Sequence, residues 1–290
     1  MATLDDARAG AAPWLLSAPA LLLFSGLLLI PLLLTLALSF HVFSDTQGTL
    51  PAYTLRNYLE VVTDPYYGAI FGRTAVLALA VTLLCVVLGV PETIVLARMR
   101  RPWQSFCLLV VLGPLLISVV VRTLGWQILL GNNGILNNAL LALHITSEPI
   151  RLVFTMTGVV IALTHVLVPF MVMSVWATLQ KLDPQVEWAG RSLGGSPWRV
   201  FRRVVLPQIL PGVLSGSIIV FALSASAFAT PALIGGRRLK VVATAAYDEF
   251  LGTLNWPLGA TIAVLLLIAN VAIVMGCSRL AERRLKHIFD

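Results

Sequence analysis

The chain has 290 residues, 58% of them hydrophobic and only 11% charged, with a formal net charge of +7. No soluble domain can hide that share of apolar side chain, so lipid is the expected solvent and the fold class is an all-α integral membrane protein. Cys85, Cys107 and Cys277 all fall inside apolar runs without metal-ligand spacing, which argues against a disulfide framework or a metal site.

In chain order, the stretches nearly free of charge are Ala9–Arg56, Thr74–Pro91, Trp103–Val121, Leu152–Gln180, Val204–Gly236 and Phe250–Ser278. Each supplies the roughly 20 residues that a hydrocarbon core requires. Six transmembrane helices are therefore expected in a single domain over 1–290, at about residues 14–40, 69–97, 104–130, 151–178, 208–234 and 257–280. The first apolar run, Trp14–Phe40, is too long for a signal-peptide core, and Asp5, Asp6 and Arg8 before it do not make a basic leader, so it reads as an uncleaved span.

Two loops between spans have features of their own. His41–Tyr67 contains "YTLRNYLEVVTDPYY", which reads as a short interfacial helix begun by Thr54, with tyrosines suited to the headgroup region. Gly131–Pro149 opens with turn chemistry and continues as an apolar helix too short to cross.

Polar residues within or beside the spans are few. Glu92 follows Pro91 near one end of span two, and Arg98 and Arg100 close by in sequence make an interfacial ion pair the expectation, with a substrate ligand as the alternative. Arg122, with Trp126 after it, lies toward the other end of span three; it faces a cavity or snorkels to the interface, and both readings stand. His165, ahead of Pro169, is expected to be a hydrogen-bonded packing residue. Asp248 and Glu249 in the last loop read first as a solvated face, with a cationic substrate or a binding protein as alternatives.

The fifth span, "SGSIIVFALSASAFATPALIGG", is rich in small residues: Ser215, Gly216, Ser217, Ser224, Ala225, Ser226, Ala227 and Ala229 precede Pro231. Small residues let helices approach closely in lipid, and serines with a proline also suit a helix beside a wet pathway. Both readings stand for Ser224, Ser226, Ala227 and Pro231.

Glu187–Gly212, "EWAGRSLGGSPWRVFRRVVLPQILPG", is the most polar long stretch, and most of it falls in the loop between spans at 181–207. Val186, Ala189, Gly190 and Leu193 recur at helical spacing, and Gly194–Gly195 stops that helix. Ser196 is a good cap and Pro197 a favoured first residue for a second helix. That helix carries Trp198, Phe201, Val204 and Val205 on one side, opposite Arg199, Arg202 and Arg203, and is expected to end at Pro207 and Pro211. The small face of Ala189, Gly190 and Gly194 would fit a groove on another protein; a basic anchor on anionic lipid is the alternative.

Arginine and lysine bias orients the chain. The side holding both termini and the 181–207 loop carries thirteen of the twenty: Arg8, Arg98, Arg100, Arg101, Lys181, Arg191, Arg199, Arg202, Arg203, Arg279, Arg283, Arg284 and Lys286. Both termini are therefore expected in the cytoplasm, and the +7 charge needs no nucleic acid to explain it.

The polar loop resembles the cytoplasmic signature of ABC importer permeases, Glu-Ala-Ala, three residues, glycine, nine residues, then aliphatic-x-Leu-Pro. Gly194 is followed after nine residues by Val204-Val205-Leu206-Pro207, while Trp188-Ala189-Gly190 stands at the acidic triplet and Glu187 lies one place early. "VVVRTLGWQILLGNNGILNNALL" (Val119–Leu141), "SASAFATPALIGG" (Ser224–Gly236) and "YTLRNY" are similar to segments of spermidine/putrescine-class permeases. The resemblance implies a multi-pass protein of the bacterial inner membrane, one permease half of a type I ABC importer. Its implied partners are a second homologous permease, two ABC ATPase subunits and an extracytoplasmic substrate-binding protein.

The resemblance also implies that Glu187, Trp188, Ala189, Gly190, Leu193, Gly194, Leu206 and Pro207 couple to the ATPase. The chain contains no G-x-x-x-x-G-K-[ST] phosphate loop, so ATP and Mg would be bound by the partner ATPases and no cofactor by this chain. The implied substrate is a polyamine; amino acid derivatives, phosphonates and other anions are the alternatives. A proton-coupled secondary transporter would need intramembrane acids and repeats that the sequence does not offer. No nucleophile–base or metal constellation suggests catalysis.

Overall fold

The computed structural model describes residues 5–289, with side chains described from Ser17 to Arg279 except Pro184. The side chains of Arg8, Arg283, Arg284 and Lys286, counted above in the orientation argument, lie outside that range. The elements in order are α1 (Asp5–Ser39), a hairpin of β1 (His41–Ser44) and β2 (Gly48–Tyr53), α2 (Arg56–Thr63), α3 (Pro65–Ala97), α4 (Arg101–Leu116), α5 (Val119–Leu130) and α6 (Ile135–Ala142). There follow α7 (Met156–Leu179), α8 (Pro184–Ser192), α9 (Pro197–Val200), a π-helical turn (Phe201–Val205), α10 (Leu206–Ala225), α11 (Val242–Tyr247) and α12 (Trp256–Phe289). Among the described residues five helices are long and apolar enough to cross a membrane, and a sixth crossing is completed if α4 and its bent continuation count as one.

The chain divides into two compact units, one of residues 1–63 and 246–265, the other of 64–245 and 266–290. In the first, α1 is apolar all round and uncovered over its hydrophobic stretch, as a lipid-facing span is. Its end is stitched by side chains, because the last carbonyls of a helix lack intrahelical donors. Buried Asn57 spends both amide hydrogens, on the carbonyls of Ser39 at 3.0 Å and His41 at 2.9 Å. Thr261 adds a third bond, to the Ser39 carbonyl at 3.1 Å.

The short helix expected after Thr54 is present as α2, with Thr54 Oγ1 accepting from the Arg56 N–H at 3.0 Å. The hairpin before it is a feature the sequence does not announce. Its first strand, four residues long, is too short for alternation to show, and Gly48 at φ +73° makes the turn.

The second unit is built on α3, α7 and α10. Fully buried Met171 of α7 wedges between glycines of the other two helices: a Cβ on Gly89 would lie 2.9 Å from it, and one on Gly216 2.8 Å from its sulfur. Ser174 donates to the Gly212 carbonyl at 2.8 Å. Small residues therefore bring α10 onto α7, the packing half of the reading made for this span. Threonines along α3 and α7 return their hydroxyl protons to the carbonyl four residues back, as Thr82, Thr93 and Thr164 do, which satisfies those hydroxyls in an apolar core.

Two expectations are corrected here. The third span is not one helix: α4 and the α5–α6 segment meet at a bend of 100°, across Ile117–Ser118. The second loop helix does not end at Pro207 or Pro211; it runs without interruption from Pro197 to Ala225. A proline removes one helical bond and pushes on the carbonyl four residues back. The π-helical turn ahead of Pro207 widens the ring there, with the Leu206 N–H reaching the Phe201 carbonyl, and so makes room.

Candidate functional site

The polar loop closes α8 by a motif that only its glycines allow. Asp183 caps the start, accepting from the Gln185 N–H at 2.9 Å. At the other end Gly194 takes φ +79°, its N–H bonds the Arg191 carbonyl at 3.0 Å, and the Gly195 N–H bonds the Gly190 carbonyl at 3.2 Å. These are the paired bonds of a left-handed helix stop. The chain re-enters helix at Ser196, whose hydroxyl accepts from the Arg199 N–H, with Pro197 in the first turn.

Gly190 faces inward, against Val200 and Val204, so its smallness serves the contact between the two loop helices rather than a foreign groove. Outward stand Ala189, Gly194 and three large apolar residues, Trp188 at 68% exposure, Leu193 at 89% and Trp198 at 68%. Glu187 accepts from Arg98 at 3.3 Å and from Arg191 at 2.7 Å, tying α8 to the end of α3. Leu206 and Pro207 are half-buried at the start of α10, with Leu206 against the core.

α3, α4, α5 and α7 line an open cavity of about 710 Å3 on the helical bundle. Trp126 projects into it and donates to His165 Nδ1 at 3.2 Å, the rings meeting edge-on at 5.3 Å. His165 is thus hydrogen-bonded as expected, yet it is open to the cavity rather than packed away.

Arg122 does not line this space. Its guanidinium donates to the Pro114 carbonyl near the end of α4, a cation placed where a helix C-terminus attracts one. Glu92 lines the cavity and makes no ion pair among the described residues: of the two arginines expected near it, Arg98 is engaged with Glu187 and Arg100 does not reach it. That corrects the ion-pair reading; the helical register of Leu84, Leu88 and Glu92, four apart, is the sequence signal that places it there.

The fifth-span candidates scatter. Ser224 is buried with its hydroxyl unbonded, Ser226 is exposed and bonds the Ala222 carbonyl at 2.8 Å, Ala227 packs on the core and Pro231 is buried. A buried Thr123–Thr230 hydroxyl pair at 3.3 Å connects α5 to the segment after α10. Glu249 accepts from its own-turn neighbour Thr253 at 2.7 Å.

The family described as "Binding-protein-dependent transport system inner membrane component" matches residues 103–287, more than half the chain and including both the polar loop and the Trp126–His165 pair. The chain belongs to this family. Among relatives of the permease, the spermidine/putrescine transport system permease protein PotB of Escherichia coli strain K12 is 31% identical over 261 residues, 90% of this chain and 93% of that one. PotB of Salmonella typhimurium strain SL1344 is 31% identical over 264 residues, 90% of this chain and 92% of its own. In fold, a bacterial ABC transporter that imports the acidic polysaccharide alginate superposes with a TM-score of 0.77 at 14% identity, over 96% of this permease and 98% of that chain. The protein is a type I ABC importer permease, a multi-pass component of the bacterial inner membrane.

Proposed function

We propose that this permease moves a polyamine and that the 181–207 loop couples it to a cytoplasmic ATPase. Support for the substrate comes from the spermidine/putrescine permeases that match nine-tenths of the chain. The observation that carries the coupling is the loop itself: a rigid helix, glycine stop and helix that hold Trp188, Leu193 and Trp198 in solvent beside a cluster of arginines. Large exposed apolar groups grouped on a charged loop mark a docking surface.

In this reading Glu187 orients α8 while Trp188, Ala189, Leu193 and Gly194 meet the ATPase. Gly190, Leu206 and Pro207 fix the loop to α10. A second homologous permease completes the pathway, two ATPases bind ATP and Mg, and an extracytoplasmic binding protein delivers substrate. In the same reading Trp126 borders the route from the cavity and exposed Ser226 from α10, Arg122 holds the end of α4 beside it, and Ser224, Ala227 and Pro231 shape the helices behind.

The test is reconstitution of the whole complex in proteoliposomes, with labelled spermidine and putrescine offered through the binding protein. ATP-dependent uptake is expected. A complex that hydrolyses ATP in response to its binding protein but accumulates neither compound would sink the polyamine reading.

A further inference from the structure

We propose that the cavity between α3, α4, α5 and α7 is a membrane-embedded site for a linear polyammonium ion, with the Glu92 carboxylate as its charge anchor and Trp126 as its aromatic wall. The proposal rests on the polyamine reading above and adds to it a place within this chain.

Glu92 sits within a membrane-spanning helix, half-buried, and among the described residues it has neither an ion pair nor a hydrogen bond. Ionisable groups at such positions are costly, and they persist where they face a pathway or a partner. The rest of the lining explains which partner suits it. Indole nitrogen only donates, so His165 Nδ1 must accept the bond from Trp126, and the imidazole is the neutral form. Thr164 has spent its proton on the Val160 carbonyl, and the Pro114 carbonyl holds Arg122. Among the described residues Glu92 is the one charged side chain that lines the cavity, with the Arg122 guanidinium held behind its wall on the Pro114 carbonyl, so the Glu92 end is where an ammonium group finds a partner.

Shape adds to charge. Leu84, Leu88 and Glu92 form one stripe, which at 1.5 Å per residue makes an apolar wall about 12 Å long ending in the carboxylate. The volume of about 710 Å3 is that of a small-ligand site, mostly apolar with few polar groups. A polyamine alternates ammonium groups with short methylene chains. One ammonium would pair with Glu92, the methylenes would lie along the leucines, and a second ammonium would meet the indole face, the aromatic surface best suited to a cation. The bend between α4 and α5 opens this space, since irregular backbone is tolerated at membrane depth where it borders a cavity.

The test uses the complete complex in proteoliposomes, comparing wild type, Glu92→Gln, Glu92→Asp, Trp126→Ala and Trp126→Phe. Spermidine uptake is read per ATP hydrolysed, alongside subunit retention. Losing a charged partner should lower uptake per ATP by about tenfold or more in Glu92→Gln, with partial recovery in Glu92→Asp. Trp126→Ala should lose several-fold and Trp126→Phe less, while all variants keep their subunits. Wild type that fails to move spermidine removes the substrate reading and this site with it. Wild type that moves spermidine while Glu92→Gln matches it removes the site alone. Loss of the second permease from Glu92→Gln would also overturn the proposal, showing that the carboxylate holds a subunit and not the substrate.

Discussion

Gly194→Asp separates the folding role of the polar loop from its proposed docking role. Gly194 lies at φ +79°, and a Cβ there would meet nothing within 4 Å. The intramolecular cost is therefore conformational only, about 1 kcal/mol, and aspartate tolerates the left-handed region better than most residues. The loop should keep its fold. The new carboxylate, however, stands beside Leu193, at 89% exposure the most exposed large apolar residue of the loop. If that surface docks, the charge must lose water without a partner, which costs several kcal/mol, or at least about a hundredfold in affinity.

Gly195→Ala provides the contrast, because its Cβ would lie 2.6 Å from the Gly190 carbonyl and 2.8 Å from Val200, so it should break the turn itself. Gly194→Asn, matched in backbone preference but uncharged, should fall between Gly194→Asp and wild type. The assays are ATPase retention during gel filtration, binding-protein-stimulated hydrolysis, and thermal unfolding of the solubilised complex. Unchanged retention and hydrolysis in Gly194→Asp would refute the argument that this loop is the coupling element.

Further outcomes are expected elsewhere. On the proposed orientation, with both termini in the cytoplasm, cysteines from Asn133→Cys and Tyr247→Cys, both at exposed positions, should react with impermeant thiol reagents in right-side-out vesicles, while Ser196→Cys should not; the reverse pattern would invert the topology. Gly216→Val should destabilise the bundle by about 1–3 kcal/mol through overpacking against Met171 and Ser174, lowering the thermal midpoint of solubilised protein, whereas Gly68→Ala, with nothing near its Cβ, should not. Ser224→Leu should likewise fail by overpacking at a buried position, while Ser226→Leu, exposed, should assemble normally and lower uptake if that face borders the route. Equal stability of the two serine variants would contradict the burial difference.

The spans and the loop were legible because their signals are local and strong. Twenty apolar residues, or Asp183, Gly194, Ser196 and Pro197 at caps and stops, determine local structure almost alone. The family signature was equally local, though Trp188 stands where it usually has an acid. What sequence hid depends on three dimensions. Glu92 was assigned to arginines near in sequence, but Arg98 turns to Glu187 across 89 positions, which leaves the carboxylate to the cavity. Gly190 was given to a partner because smallness looks the same whether the neighbour is another protein or Val200. The break at Ile117–Ser118 carries neither glycine nor proline, so nothing in those two residues marks a bend of 100°.

The uninterrupted helix from Pro197 to Ala225 makes the loop and the fifth span one lever rather than two parts joined by a hinge. It lies against Ser174, Thr178 and Met171 of α7 at Gly212 and Gly216, where a side chain would not fit. A rod held there has arms of about 26 Å toward Pro197 and 17 Å toward Ala225 at 1.5 Å per residue. Moving the loop end sideways by about 3 Å would therefore swing the Ser224–Ser226 end by about 2 Å in the opposite sense. On the proposed coupling, a subunit that grips only the loop would open one end of the span while closing the other, with the two glycines setting the ratio between them.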